Sequence, residues 1–534
     1  MSQRGATHRC RAIARHLHKD FEKDAWMRID KDERSEVSLL QTDTLIDKYD
    51  AKIPRSKIPL LPKTPKKTHL ERLPFSNTTP ATMRVIREVP LKIGTSESVM
   101  VGQWNFKNVY KYIMTDPQYK NAIFNMAGTF ILSALGFFFW IIIARLYKTE
   151  NVGIATTLIS IMTLLSTFTV MGLNSSLTRF LPKSINRDEL INSSFVIVTI
   201  ATLLPCVIFL LGLQIFSPQL LFLRSNALYI LSFIIFIIFS SWNILVDSVF
   251  IAFRAASNIL IKNTVISVSK LILPFALIAF GAYGIFASAA SALALGVLVG
   301  LIILSLKFKV RHSISVNVSL LKKHSAYSLA NYVVVFMRSM PALVLPVIIL
   351  NVLSAKYAAY FYVASMIQNV LLIIPQATEQ SLLAEGSHNE VELKKHIKKA
   401  LSTIIVILIP STIIIVLFGN ILLQFFGKSF ASEAFQFLQL YSASTIFTAL
   451  LLIASAILNI KHKIKTLVIM NVLFAVLTLC LSYAFISSKL VGIGWGWILG
   501  QAIAGIVATY FIIRNYSDNS EPQALPDKVQ KVLE

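Results

Sequence analysis

Three charged side chains stand inside long apolar runs of this 534-residue chain: Asp247, Lys270 and Arg338. An ion near the centre of a hydrocarbon layer costs at least about 2.5–3.5 kcal/mol, so such a group faces protein or water, in a pair or at a ligand. Arg338 lies about a dozen residues into its run, too deep for its side chain to reach an interface. Pro341 and Pro346 follow it, and each removes a backbone donor and kinks a helix. A guanidinium beside loosened backbone suits an anion such as a pyrophosphate. Its plainer alternative is a buried pair with an acid. Lys270 lies two turns into its run at a depth similar to Asp247, and the two are expected to pair, as a structural link or as a proton or ion relay. Asp247 is therefore the candidate for ion coupling. Glu379 and Arg179 fall near run ends and read as interfacial.

Neutral polar groups also interrupt the runs, among them Asn125, Asn331 and Gln368. They could bond a sugar in a wet cleft, or bond between helices for about 1 kcal/mol or less each. Enzyme chemistry finds little support. There is no GxxxxGK[ST] phosphate loop and no HExxH, and Cys10, Cys206 and Cys480 make no metal-spaced pair. The expectation is no catalysis, no metal and no cofactor.

These residues are carried by apolar blocks. The chain is 55% hydrophobic and 15% charged, and its apolar residues cluster in runs of about 20, enough to cross a bilayer as helix. Twelve spans are read at 122–146, 152–173, 192–216, 228–253, 263–282, 284–306, 327–350, 357–378, 400–419, 434–459, 466–487 and 491–513. The net charge of +24 raises nucleic acid as a partner, but the basic residues alternate by loop. Seventeen, including Lys262, fall on one side of the spans and six on the other, the bias of cytoplasmic loops. Both termini are then cytoplasmic, and nucleic acid is not expected. Outer connections are short; the longest, 420–433, carries one acid, Glu433, too little for a membrane polymerase or ligase. Residues 1–120 are polar, basic and Pro-containing, the composition of a disordered tail. It could rest on membrane lipid.

The two halves repeat. Pro205 and Pro410 sit alike in the third span of each half, Asn263 matches Asn471, and Gly284-Ile285 matches Gly492-Ile493. With an even number of spans per half, the copies run in the same sense about an axis along the membrane normal. The expected fold is an all-α integral membrane protein, with a six-helix lobe at 121–312, a second at 313–515 and a short tail at 516–534. Gly296 and Gly300 have GxxxG spacing, which close helix packing explains.

The stretch Arg145-Leu146-Tyr147 to Gly153-Ile154-Ala155, the stretch Gly172 to Pro182, and Ala358-Ala359-Tyr360, Ile374-Pro375-Gln376 and Ser381 to Glu385 resemble the Wzx-like polysaccharide flippases of the multidrug/oligosaccharidyl-lipid/polysaccharide (MOP) exporter superfamily, over residues 118–515. The resemblance implies two lobes in a MATE-like V. It implies a cationic cavity, here Arg338 and Lys270, for a polyprenyl-pyrophosphate-linked oligosaccharide flipped outward across the plasma membrane. It implies coupling to H+, Na+ or the membrane potential, and polysaccharide-assembly proteins as neighbours. A MATE-type drug or cation antiporter shares the fold, but it needs intramembrane acids where the first span has none and the seventh carries Arg338. A glycan polymerase or ligase is the remaining alternative.

Overall fold

The computed structural model describes residues 135–311, 313–314, 317–388 and 392–518. The tail at 1–120, the candidate Asn125 and most of 516–534 lie outside the described residues. Among the described residues eleven helices are long and apolar enough to cross a membrane, and a shorter apolar helix, Leu135–Leu146, is the described end of the first span. In chain order these are α1 (Leu135–Leu146), α2 (Thr149–Val170), α3 (Arg187–Leu211), α4 (Ala227–Ala252), α5 (Ala256–Ala276), α6 (Gly281–Lys307), α7 (Val318–Val352), α8 (Ala355–His388), α9 (Leu393–Gln424), α10 (Lys428–Ile460), α11 (Ile464–Ala484) and α12 (Lys489–Asp518). A short helix, Leu173–Phe180, follows α2.

The last three helices of each half repeat in register. α5 and α11 have 21 residues each and begin 208 positions apart. Both are entered through a left-handed residue, Arg254 at φ 54° and His462 at φ 53°. Each entry is closed by the same bond, Ala255 N–H to the Phe250 carbonyl and Lys463 N–H to the Leu458 carbonyl, 2.8 Å in both. This is the C-capping geometry that stops one helix and frees the chain to begin the next. Short 3-10 turns, Ile278–Phe280 and Ile486–Ser488, then lead into α6 and α12. At Gly284 and Gly492 an added Cβ would lie 2.0 Å and 1.8 Å from the Leu277 and Phe485 carbonyl oxygens, so both turns require glycine there. Packing repeats as well. α4 lies on α2, α3 and α6 as α10 lies on α8, α9 and α12, and α5 lies on α6 as α11 lies on α12.

One sequence reading is corrected by this turn. Because Arg254 closes α4 so tightly, α5 starts at Ala256 rather than 263, and Lys262 belongs to the span instead of the inner loop.

Burial divides the molecule into three apolar cores. One contains residues of both halves, including Phe139, Val152, Phe233 and Phe286 with Leu345, Ala358, Phe430 and Trp497. It runs from the end whose connections carry few basic residues to about the middle of the spans, at Met162 and Ile367. At the basic end the halves have separate cores, Leu177, Leu190, Val249 and Leu304 in the first and Leu382, Ile397, Ile457 and Ala508 in the second. The buried core is thus shared across the halves at one end, while at the other the halves meet mainly through α7, which packs on α2 and on Leu173–Phe180.

Candidate functional site

Arg338 stands on α7 between the shared core, which holds Leu345, and the second half's own core, which holds Val334. That is the level at which the shared core gives way to separate ones. Its guanidinium meets Glu379 of α8 fork to fork, Nη1 donating to Oε2 at 2.9 Å and Nη2 to Oε1 at 3.1 Å. The side chains are 23% and 19% exposed, so the pair is partly open. Nε of Arg338 is buried and has no hydrogen-bond partner. Pro341 and Pro346 lie inside α7 and Pro375 inside α8, so both helices carrying the pair have missing backbone donors close by. Glu379, read from the sequence as interfacial, is the residue that neutralises Arg338.

Asn331 lies seven residues before Arg338 on the same face of α7, half-buried. Gln368 is 1% exposed, and its amide donates to Thr445 Oγ1 of α10 at 2.8 Å, so it works as a link between helices. Lys270 is half-buried on α5, and no hydrogen bond or ion pair joins it to Asp247 or to Arg338 among the described residues.

The expected Asp247–Lys270 pair is replaced by another. Lys262 Nζ meets Asp247 Oδ1 at 2.9 Å and Oδ2 at 3.0 Å, and also donates to Asn243 Oδ1. Lys262 is fully buried. Lys270 lies two turns further along α5 than Lys262, and the earlier start of α5 is what brings Lys262 level with Asp247. Sequence reading missed Lys262 because it counted as loop charge. The signal available was its spacing, 15 residues after Asp247 across a hairpin of two antiparallel helices.

The other end is closed across the halves by polar contacts. Arg145 at the end of α1 donates to the Phe425 and Gln424 carbonyls at 3.2 and 3.3 Å. Asn351 donates to the Phe216 carbonyl at 2.8 Å and accepts from Ser217 at 3.0 Å. Lys356 meets Glu150 at 3.2 Å. A Cβ on Gly153 would lie 1.7 Å from the Ala355 carbonyl oxygen, so α2 and α8 touch backbone to backbone there. Towards the basic end the bond noted between α2 and α7 is Tyr332 Oη to the Phe168 carbonyl at 2.9 Å.

Residues 119–379 match the family model described as polysaccharide biosynthesis protein. The chain is similar to that family over just under half of its length. Its fold is that of MOP-superfamily transporters. An inward-facing multidrug resistance MATE transporter superposes with a TM-score of 0.56 at 17% identity, covering 74% of this chain and 96% of that one. An outward-facing MATE transporter superposes at 0.54 and 15% identity, covering 76% and 97%. A MATE structure in complex with MaL6 gives 0.52 at 16% identity, covering 75% and 97%. No curated protein matches the sequence. This chain thus has the fold of a multi-pass membrane protein, and Arg338–Glu379 and Asp247–Lys262 are ion pairs set well inside its spans.

Proposed function

We propose that this transporter flips a polyprenyl-pyrophosphate-linked oligosaccharide from the cytoplasmic to the outer leaflet of the plasma membrane by alternating access, with both termini in the cytoplasm. The observation that carries the reading is the position of Arg338 at the level where one shared core gives way to two. In this reading the basic loops are cytoplasmic, so the end with separate cores faces the side where the substrate is made. The lipid tail stays in the bilayer while the sugars enter between the halves.

Glu379 holds Arg338 in the empty transporter. A pyrophosphate offers the same planar pairing of oxygens as a carboxylate, with more negative charge, and takes the fork from Glu379 as it binds. Lys270, an intramembrane cation outside any described ion pair, is the second candidate contact, and Asn331, two turns from Arg338, is a candidate for a sugar hydroxyl. Opening to the outside then requires the Gly153–Ala355, Arg145–Gln424 and Asn351–Phe216 contacts to part. Coupling to an ion gradient and association with polysaccharide-assembly proteins complete the reading.

The test is substrate selection in proteoliposomes. Wild-type protein is expected to move a pyrophosphate-linked oligosaccharide lipid to the far leaflet and to leave the uncharged lipid bearing the same sugars behind. Equal movement of both, or transport of organic cations alone, would overturn the reading.

A further inference from the structure

The repeat supplies its own control for the first-half ion pair. Moving 208 positions along the chain places Asn243 on Leu451, Asp247 on Ser455, Lys262 on Met470 and Gly300 on Ala508. The register is fixed by the backbone, because α4 and α10 both end 208 positions apart, as do α5 and α11 at each end. In the second half these four positions are 0%, 3%, 1% and 0% exposed, so the same scaffold closes there with apolar or small neutral side chains. An ion pair with its asparagine is therefore not something the fold demands at this place. In the first half a Cβ on Gly300 would lie 2.7 Å from a Val246 methyl and in ordinary contact, 3.6 Å, with Lys262 Cδ, so Gly300 lets α6 approach α4 closely, where the second half puts Ala508.

We propose that Asn243, Asp247 and Lys262 form a proton-coupling site of the transport cycle. Asp247 stands about one and a half turns from the basic end of α4 and keeps 30% of its side chain exposed, so a proton from the inner aqueous side can reach it. Protonation converts its carboxylate to the acid and releases the Lys262 ammonium, which Asn243 Oδ1 retains; deprotonation restores the pair. A buried ion left without its partner is costly, so the two states favour different packing of α4 against α5, and those helices belong to one half as it moves. Lys262 from α5 is the charged group that faces Asp247. α6 faces the pair with Gly296 and Gly300, and its Lys307 is drawn off to Asn258. On α3, Asp188 and Glu189 accept from Arg311 N–H and Asn317 Nδ2.

The inference uses the flippase reading only for its substrate, and two measurements separate the failures. Infrared difference spectra of the purified protein in lipid, without substrate, are expected to show a carboxylic acid band growing as the pH is lowered, lost in Asp247→Asn and kept in Glu379→Gln. Flipping of the pyrophosphate-linked oligosaccharide lipid is expected to respond to an imposed pH gradient in wild type. It should lose that response in Asp247→Asn and in the quadruple variant N243L/D247S/K262M/G300A, which copies the second half's packing. A quadruple variant with the wild-type gradient response, or spectra without an Asp247 band, would make the trio a structural clamp and end the proposal. If the quadruple variant does not fold, Asp247→Asn decides by the same readouts. If wild type does not flip the lipid, the flippase reading fails, and the infrared band still decides protonation.

Discussion

Gly281 and Lys489 stand 208 residues apart in one backbone conformation, φ 55°, ψ −127° at the glycine and φ 57°, ψ −142° at the lysine. A side chain is strained there by about 1–3 kcal/mol, and only the first copy avoids the strain. Lys489→Gly is therefore expected to raise the thermal unfolding midpoint. The lysine's contact with the Tyr357 ring, 5.7 Å from Nζ to centroid, returns about 0.5–1 kcal/mol at an exposed site, less than most of the strain range. A lowered midpoint would mean that the ring contact outweighs the strain.

Arg338 and Glu379 separate stability from transport. Glu379→Ala leaves a partly buried guanidinium without its carboxylate and is expected to destabilise by about 1.5–3 kcal/mol, the range for hydrogen bonds to charged groups. The double change Arg338→Met with Glu379→Leu removes both charges and should recover most of that loss, because an apolar pair of similar size is often as stable as a buried ion pair. Thermal unfolding in detergent of Glu379→Ala and of the double variant reads this directly.

Closure of the outer end rests on backbone contact more than on charge. Gly153→Val cannot place its side chain beside the Ala355 carbonyl and is expected to hold that end open. In a background without Cys10, Cys206 and Cys480, a cysteine at Ala358, fully buried in the closed form, should then react faster with an impermeant maleimide. Lys356→Ala removes an ion pair whose side chains are about half exposed, 55% and 48%. Such pairs contribute about 0–1 kcal/mol, so the labelling rate should stay close to that of the parent.

Gln368→Leu gives up one hydrogen bond between α8 and α10 and relieves a buried carbonyl oxygen that has no partner. Interhelical bonds of this kind average about 0.6 kcal/mol, so stability should move by less than about 1 kcal/mol and flipping should persist. A large loss of flipping with normal folding would place Gln368 at the substrate.

Much of the fold was legible in the sequence because span length and loop charge are read by composition alone. The repeat was legible in part. Glycines required by the turn before α6 and α12 mark themselves at Gly284 and Gly492, whereas Lys489 hides the equivalence with Gly281. Span edges were the weak point. α8 continues to His388 and α12 to Asp518, beyond the apolar run, since a helix needs no apolar residues once it leaves hydrocarbon. The same weakness concealed Lys262. Its charge marked it as loop, while its partners Asn243 and Asp247 lie on the preceding helix, contacts that periodicity within one helix cannot reveal. Arg338 was recognisable from its depth in an apolar run, but its partner was not, because Glu379 lies on the next helix past a proline, where a linear reading of depth no longer holds.

The measurement closest to the central claim is the flipping rate of a polyprenyl-pyrophosphate-linked oligosaccharide in proteoliposomes, wild type beside the charge-free Arg338→Met/Glu379→Leu protein. The account predicts protein-dependent flipping in wild type and at least a tenfold slower rate, about 1.4 kcal/mol in the barrier, in a variant that unfolds at a normal temperature. Equal rates in two well-folded proteins would contradict it and leave Arg338–Glu379 as no more than a tie between α7 and α8.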